Sequence, residues 1–594
     1  MEPLITTSTL QRESYGGLFV LFTAAGLAVN GCATRPDPVL GDAYRLVRES
    51  SERLRAETGE EHPERYEATD LSGVVHEEHP QTLNPVAEDL SFTRAKEDRD
   101  VAARLEMLTK QGGVGSGVAY EGAPGATTEV PARVVPLEES LRLSQRTGRE
   151  FLSAQEEYLL SAISLLVERH QWGPRFFNDT TATVAATGDN GDFFPALNVV
   201  NTLKATRRLP YGGNVEASWV WNATEQLRSQ ATEDYASSSS IVLSGNVPLL
   251  RGAGLVAQES LIQAERNLVY QARTFERFRR TYLVDIANDY FSLIQSKQAI
   301  ANQERQIKSL EQFLKGTQAR VDAGRLDSFQ TSIASIQLSS AISSLAGLRE
   351  SYTLSVDRFK VRIGIPLDEV IDVTEQELNL PEPDVLEANA AETALRLRLD
   401  LQNSRDQLED TRRGVANAKD ELLPDLNATG SVSLPTDPDK DNGGLAFSGD
   451  DVSYSVGATL SLPLDRRVER LNLRAARIGL ERSTRDYDRQ RDDIIVSARS
   501  AARNVDLARF QLNLAEAQVE SARRRLRAQK LQEDVLEPQQ IVDTENALLD
   551  AENARDRSRT NLRNSVLNYL LQTDQLRVNR DGTLRMLPGM TAPK

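Results

Sequence analysis

Apolar residues recur every seven positions through a proline-free stretch at residues 255–363 of this 594-residue chain. The outgoing series is Ile286, Leu293, Ile300, Ile307, Leu314 and Val321, and the returning series is Leu338, Leu345, Tyr352 and Phe359. A sustained seven-residue period is typical of helices that pack as coiled coils. Residues 321–328, which include Gly324, predict a turn between the two helices. The stretch therefore predicts an antiparallel hairpin whose first helix is on the order of 100 Å long.

The same pattern occurs a second time. The outgoing residues recur 212 positions later as Ala498, Val505, Leu512, Val519 and Leu526, beside a second series of Ile494, Ala501, Ala508, Ala515 and Ala522. The returning residues recur 210 positions later, for example Phe359 as Tyr569, which places a short deletion at the second turn, residues 534–538. Two matching registers favour an internal duplication of one hairpin. Two unrelated coiled coils are the alternative.

The period changes from helical to two after Pro174 and after Pro424, which indicates β-strands. Four strands are clear, and a possible fifth occupies residues 214–222; the clear ones lie near residues 181–186, 241–249, 426–434 and 452–462. Residues 189–208 are predicted to form a loop or small insertion. Continuous helices are predicted at 137–170 and 391–420. Each repeat then has the order helix, strand, strand, long helix, turn, long helix.

These strands alternate apolar and polar residues, which fits either a soluble sandwich or a membrane barrel with lipid outside and water inside. Strands of about ten residues can cross a bilayer when tilted. Four strands cannot close a barrel, because single-chain barrels begin at about eight strands, and open edges are not tolerated in hydrocarbon. If the strands enter a membrane, several chains must complete the barrel together.

Composition excludes several classes of function. A net charge of −17 argues against a nucleic-acid partner. Four His and one Cys leave little material for a metal site, and the His residues are scattered. No nucleophile, base and orienting group stand together in the sequence, so we expect no catalytic residues, no metal, no cofactor and no enzymatic activity.

The single Cys follows an apolar run at residues 15–28, in the sequence VNGCA at 29–33. The run is short for a membrane span. It resembles a bacterial lipoprotein signal, in which a Cys after a small residue is lipidated and becomes the mature N-terminus. Cys32 is therefore the predicted lipidation site. An ordinary signal peptide with an incidental Cys is the alternative.

The sequence suggests five segments: a signal peptide at 1–32, an acidic, partly disordered extension at 33–134, a first repeat at 135–366, a second repeat at 367–576 and a tail at 577–594. Within the extension, short helices are predicted at 42–56 and 92–110. The extension is polar and punctuated by proline, which is typical of a tether.

The duplicated order of elements resembles the TolC-like outer membrane factors of drug efflux and type I secretion. The resemblance covers about residues 135–575 and is carried by the turn at 321–328 and by four short motifs: PLEESL at 136–141, VPLLRGAG at 247–254, RLDL at 398–401 and LLPDL at 422–426. It implies an α+β homotrimer without a cofactor. Four strands per chain would form a twelve-stranded transmembrane β-barrel, and the coiled-coil hairpins would form an α-barrel, a tunnel in the periplasm of a Gram-negative-type bacterium.

The resemblance also implies functional residues. The hairpin turns would dock a periplasmic adaptor; they contain Gly324, Arg325, Leu326, Asp327 and Ser328 in the first repeat and Asp534, Val535 and Leu536 in the second. Of the family's paired gate aspartates, one falls on Asp543 and the other on Gln540, while a basic latch residue falls on Leu536. Three copies of Asp543 would form an acidic ring; a solvated helix carboxylate is the alternative.

The implied function is a passive exit duct through the outer membrane, coupled to the adaptor and to an inner-membrane pump. The alternative is a non-transport outer membrane lipoprotein that serves as a coiled-coil scaffold. The exported substrate, and the choice between efflux and protein secretion, remain open at this point.

Overall fold

The computed structural model describes residues 38–57, 133–189, 192–226, 235–375, 387–436, 445–531, 538–579 and 584–586. The chain divides into two compact units, Met1–Gly59 with Val134–Lys594, and Glu60–Arg133. The fold below is that of the first unit. Cys32, the predicted helix at 92–110 and the second turn with Asp534, Val535 and Leu536 lie outside the described residues.

The described part of the chain is dominated by helices, two of which exceed sixty residues. In chain order the helices are α1 Pro38–Glu57, α2 Leu137–Thr147, α3 Arg149–Gln171, α4 Glu259–Asp322, α5 Phe329–Ile363, α6 Glu387–Leu397, α7 Leu399–Asp420, α8 Arg467–Leu531 and α9 Pro538–Gln572. The hairpins α4–α5 and α8–α9 agree with the two predicted from the seven-residue period. None of these helices combines the length and apolar character needed to span a membrane.

Six of the strands form one antiparallel sheet. The strands are β1 Arg133–Val134, β2 Arg175–Asp189, β3 Asp192–Arg208, β4 Asn214–Gln226, β5 Tyr235–Pro248, β6 Ile371–Asp372, β7 Asp425–Pro435, β8 Ser453–Ser461, β9 Leu576–Val578 and β10 Leu584–Met586. The sheet order is β2-β3-β4-β5-β7-β8, so consecutive strands are neighbours throughout. Four of the described strands lie between α3 and α4, and two lie between α7 and α8. Because both numbers are even and the strands are antiparallel, the chain leaves the sheet each time at the end where it entered.

The prediction of a loop at 189–208 is wrong, because this segment forms β3. Its alternation is broken by adjacent apolar residues such as Val199 and Val200, and it contains Pro195. Proline is confined to positions that need no ladder hydrogen bond. Pro195 lies opposite Ala186 of β2 and just beyond the first described β3–β4 pair, Ala196 with Gln226, so it is at the end of the described β3–β4 ladder.

The helices predicted at 137–170 and 391–420 are each divided in two. Gly148 separates α2 from α3 in an extended conformation, with φ −66° and ψ 118°. A Cβ at Gly148 would lie 2.2 Å from the Tyr282 hydroxyl and 2.3 Å from the Ser144 carbonyl oxygen. Arg398 separates α6 from α7 in nearly the same conformation. Helical periodicity runs through both breaks, so the pattern alone did not reveal them.

The core lies around the sheet-proximal half of α4. Ile286 and Leu293 of the predicted series are buried there, together with Phe359 of α5 and Ala498 and Val505 of α8. Their burial confirms the seven-residue period as a packing signal in this half of the hairpins.

The helix predicted at 42–56 is confirmed as α1, which packs on α3 and α4. Ala43 is fully buried in a cluster with Tyr158 and Leu165. The Tyr158 hydroxyl also donates to the Val47 carbonyl oxygen at 3.0 Å. The first part of the acidic extension is thus a docked helix, and residues 58–132 of the extension lie outside the described residues.

Candidate functional site

The six-stranded sheet has one apolar face. The registers place Trp219 of β4 beside Ile241 of β5, Ile241 beside Leu434 of β7, and Val432 of β7 beside Tyr454 of β8. Side chains on this face are exposed although they are large and apolar; examples are Phe176, Val184, Trp219, Ile241, Leu243, Tyr454, Val456 and Leu460. Contiguous apolar surface of this extent marks contact with a membrane or a partner.

The opposite face is polar. Ser431 and Ser455 share a hydrogen bond of 2.8 Å between their hydroxyls, and Lys204 forms a 2.8 Å ion pair with Asp179. Neighbouring residues of one strand therefore lie on opposite faces: Val456 is 88% exposed on the apolar face, and Ser455 lies on the polar face. This arrangement has the two-sided character of a sheet that separates lipid from water.

The apolar face is interrupted near the helical end of β2 and β3. Asn201 donates to Asn178 at 2.8 Å and to Thr180 at 2.6 Å on this face. The three polar side chains thus satisfy one another close to where α3 enters the sheet.

The first hairpin turn lies at the end of α4 remote from the sheet. Gly324 has φ +70°, in the left-handed region that glycine readily adopts, and its N–H donates to the Val321 carbonyl oxygen at 2.9 Å. Gly324, Arg325, Asp327 and Ser328 are exposed, and Leu326 is half-buried. The turn thus presents mostly polar side chains to solvent.

The two predicted gate residues lie on the first turns of α9. Asp543 is exposed and accepts a 2.8 Å hydrogen bond from Gln539. Gln540 is also exposed, whereas the adjacent Ile541 and Val542 are buried against α4 and α5. Asp543 and Gln540 therefore lie on the side of α9 that the chain itself leaves uncovered.

A line of polar side chains, which we call the polar seam, joins α9 to α4 and α8; its acidic and amide members are buried and its basic members are partly exposed. Glu552 is its centre: Arg523 of α8 donates to one carboxylate oxygen at 2.6 Å and Arg305 of α4 to the other at 3.0 Å. Toward the tip, Lys530 of α8 lies 2.8 Å from Glu545. Toward the sheet, Asn302 of α4 donates to Asp556 at 3.0 Å.

The seam gives Glu552 an unusual electrostatic environment. Burial alone would raise the pKa of its carboxyl group, but hydrogen bonds from Arg523 and Arg305 outweigh burial and hold the pKa below its ordinary value. The charged form is therefore stabilised by both neighbouring helices.

The sequence analysis missed the seam. It followed the apolar series through Ile300 and Ile307, yet in this half of α4 the buried residues include Asn302 and Gln306. Helix α4 contacts α5 on one side and α9 on another, so its polar stripe is also covered, by α9. Acidic residues at Glu545, Glu552 and Asp556, spaced by seven and four along α9, were the available signal.

Comparison with known proteins agrees with this architecture. Residues 390–566 match the model of the family described as outer membrane efflux protein. A comparison with curated proteins found no match.

Solved structures share the fold at low sequence identity. The Campylobacter jejuni CmeC outer membrane channel aligns with a TM-score of 0.57 and 14% identity, covering 77% of this chain and 94% of CmeC. The Vibrio cholerae outer membrane protein VceC gives 0.56 and 14%, over 74% and 95%. The open-state MtrE outer membrane channel of Neisseria gonorrhoeae gives 0.52 and 13%, over 77% and 95%.

Within the ranges described, no group of three His, Cys, Asp or Glu side chains is placed to hold a metal ion.

We expect Glu552→Gln to destabilise the protein by about 1 kcal/mol at neutral pH, because Arg305 and Arg523 are partly exposed and solvent screens the pair. The folded pKa of Glu552 is depressed, so its contribution is present above the unfolded value of about 4.3 and is lost as pH falls through the folded pKa. Thermal unfolding of both forms at neutral and acidic pH measures the difference. Asp550→Asn, at an exposed position of α9, is the control. If the difference in melting temperature between wild type and Glu552→Gln is equal at both pH values, the stabilising role of the polar seam is contradicted.

Proposed function

We propose that this chain is the outer membrane channel of a tripartite export system, a passive exit duct coupled to a periplasmic adaptor and an inner-membrane pump. The observation that carries the proposal is the six-stranded sheet, with one exposed apolar face and one polar face, joined at a single end to long helical hairpins. The sheet would lie in the outer membrane and the hairpins would extend into the periplasm. The family description favours efflux over protein secretion.

The length and pattern of the strands support a membrane position. β4 and β5 contain 13 and 14 residues, more than the 9–11 or so that a tilted strand needs to cross a bilayer. The alternative function, a coiled-coil lipoprotein scaffold, gives no reason for large side chains such as Trp219 and Tyr454 to share an exposed face. The export duct accounts for both parts of the fold.

The junction between sheet and helices supports a rigid coupling of the two. The Gly252 N–H donates to the Asp420 carboxylate at 2.6 Å, and Arg466 donates to the Leu422 carbonyl oxygen at 2.9 Å. The Leu249 N–H donates to the Leu426 carbonyl oxygen at 2.7 Å. These contacts tie the start of β7 to the segments that lead from β5 and β8 into the long helices.

We further propose a homotrimer whose hairpin turns dock the adaptor and whose α9 helices form the gate. An adaptor would bind the turn at Gly324, Arg325, Leu326, Asp327 and Ser328 and the turn at Asp534, Val535 and Leu536. Three uncovered Asp543 carboxylates would form an acidic ring, with Gln540 one turn away. The polar seam would hold α9 against α4 where the family's basic latch residue is replaced by Leu536.

A lipid anchor at Cys32 completes the proposal. Helix α1 begins at Pro38, six residues after Cys32, and packs on α3, where Tyr158 forms hydrogen bonds with Val47 and Ser50. Ala43 of α1 is buried in the same cluster. A lipid at Cys32 would therefore anchor a segment whose next helix is docked on the helical part of the chain.

The first test of the membrane position compares adjacent residues on opposite faces. We expect Val456→Arg to impair trimer assembly, by about 2–4 kcal/mol if residue 456 lies at mid-bilayer. Ser455→Arg faces water and is the matched control; we expect it to assemble normally. Light scattering corrected for detergent measures both. Equal yields of trimer from the two variants contradict the proposed membrane face.

The gate assignment predicts that Asp543→Asn lowers cation selectivity without changing the yield of trimer, because it removes three negative charges from one ring. Single-channel recordings in asymmetric salt measure the selectivity. Asp550→Asn, also on α9 and exposed, serves as the control. Unchanged selectivity in Asp543→Asn would remove this residue from the gate.

The anchor predicts that the mature chain begins at Cys32 and carries acyl chains. Mass spectrometry of the N-terminal peptide from the membrane fraction decides this directly. An unmodified Cys32 still preceded by Gly31 is the result that would rule it out.

A further inference from the structure

The two outer edges of the sheet have no second strand within the described residues. β2, 15 residues long, pairs with β3 alone, and β8, 9 residues long, pairs with β7 alone. Each outer edge therefore presents backbone N–H and C=O groups without a ladder partner. In hydrocarbon each such group costs several kcal/mol, and open sheet edges do not occur there. The proposed membrane position thus requires a partner strand at both edges.

The geometry of the edges points to a second copy of this chain. The sheet is a meander of six strands, so β2 and β8 run in opposite directions. β8 of one copy can then pair with β2 of the next in the antiparallel manner found inside the sheet. The apolar faces also match, because Ala182 and Val184 of β2 share a face, through the registers of the sheet, with Tyr454 and Val456 of β8.

We propose that β8 of each copy pairs with β2 of its neighbour and that three copies close an eighteen-stranded barrel. This inference rests on the proposed function. It differs from the twelve-stranded barrel implied by the family resemblance, because each chain supplies six strands to one sheet in place of four. Barrel diameter grows roughly linearly with strand number, so the pore would be about one and a half times as wide.

Comparison of the two repeats identifies the additional strands. In the second repeat, Pro424 precedes β7 and Pro463 follows β8, and the described residues between β7 and β8 contain no further strand. In the first repeat, Pro174 precedes β2 and Pro248 ends β5, but β3 and β4 lie between. The first repeat therefore contains one extra hairpin, β3–β4.

This extra hairpin is a continuous part of the sheet. β3 pairs with β2 from Asp192 to Thr206, and β4 pairs with β5 from Asn214 to Glu225. β4 also contributes Trp219 and Trp221 to the apolar face. A flap folded outside the barrel would have neither full-length pairing on both sides nor this patterning.

Disulfide trapping tests which strand meets β8. Val456→Cys is combined with Cys at Thr180, Ala182 or Val184 of β2, and in the matched control with Ala217→Cys of β4. All lie on the apolar face, and several β2 positions are used because a disulfide needs Cα atoms about 4.4–6.8 Å apart. Single-Cys variants control for Cys32, the one native Cys.

We expect oxidation to link chains that carry Val456→Cys and at least one of the β2 cysteines into dimers and trimers. These should survive boiling in detergent and revert with reductant. Chains that carry Val456→Cys and Ala217→Cys should stay unlinked. A trimer whose β8 links to β4, or a covalent ladder that stops at the dimer, would overturn the eighteen-stranded barrel. So would a trimer in which no β2 position links. A wild type that forms no trimer by light scattering would contradict the proposed function itself.

The wild-type protein provides a second test that needs no variant. End-on cryo-electron microscopy of the detergent-solubilised protein measures the width of the barrel and resolves its strands. Eighteen strands, or a barrel about half again as wide as a twelve-stranded one, support the inference. Twelve strands with β2 and β3 outside the wall overturn it and leave the export duct intact.

Discussion

The fold of the described unit depends on helix α4, because α5 and helices of the second hairpin share clusters with it. Its sheet-proximal half contributes Ile286 and Tyr290 to the core that also contains Phe359 of α5, Val505 of α8 and Leu567 of α9. Its tip-proximal half contributes Leu310 and Phe313 to a second cluster with Ile541 of α9. Between these clusters the contacts become polar, through the seam at Glu552. One helix thus sets the relative position of all the others in the hairpins.

A buried ion pair fixes the sheet-proximal end of this arrangement. Arg280 of α4 lies 3.0 Å from Asp574, which follows α9, and both side chains are almost completely buried. Burial alone would lower the pKa of Arg280, but Glu276 and Asp574 outweigh it and raise the pKa. Such a pair is weak evidence for net stability, yet loss of one partner leaves a buried charge that costs about 3–5 kcal/mol. Asp574 also has φ 57°, which allows the chain to turn from α9 into β9.

The sequence was informative where one physical pattern controls the structure. The seven-residue period identified both hairpins because a coiled-coil seam must be apolar, and strict alternation identified β7 and β8 because each has one wet face. β3 was missed because Val199 and Val200 break that alternation and Pro195 suggests a loop. The break at Gly148 depends on the Tyr282 hydroxyl, more than a hundred residues away. The seam was missed for a related reason, since the polar stripe of α4 is covered by α9, a helix of the second hairpin.

The arc that each chain covers explains why six strands suit these helices. Four helices meet the sheet in each chain: α3 and α7 lead into it, and α4 and α8 lead out. Packed 8–10 Å apart, four helices cover an arc of about 32–40 Å. Strands about 4.8 Å apart and tilted by about 40° each occupy about 6.3 Å, so six cover about 38 Å and four about 25 Å. With six strands, the sheet and the helices can join without a change in width, whereas four strands require the wall to narrow or the strands to tilt further. In the proposed export duct, the additional hairpin β3–β4 would therefore give the membrane section a circumference close to that of the helical section.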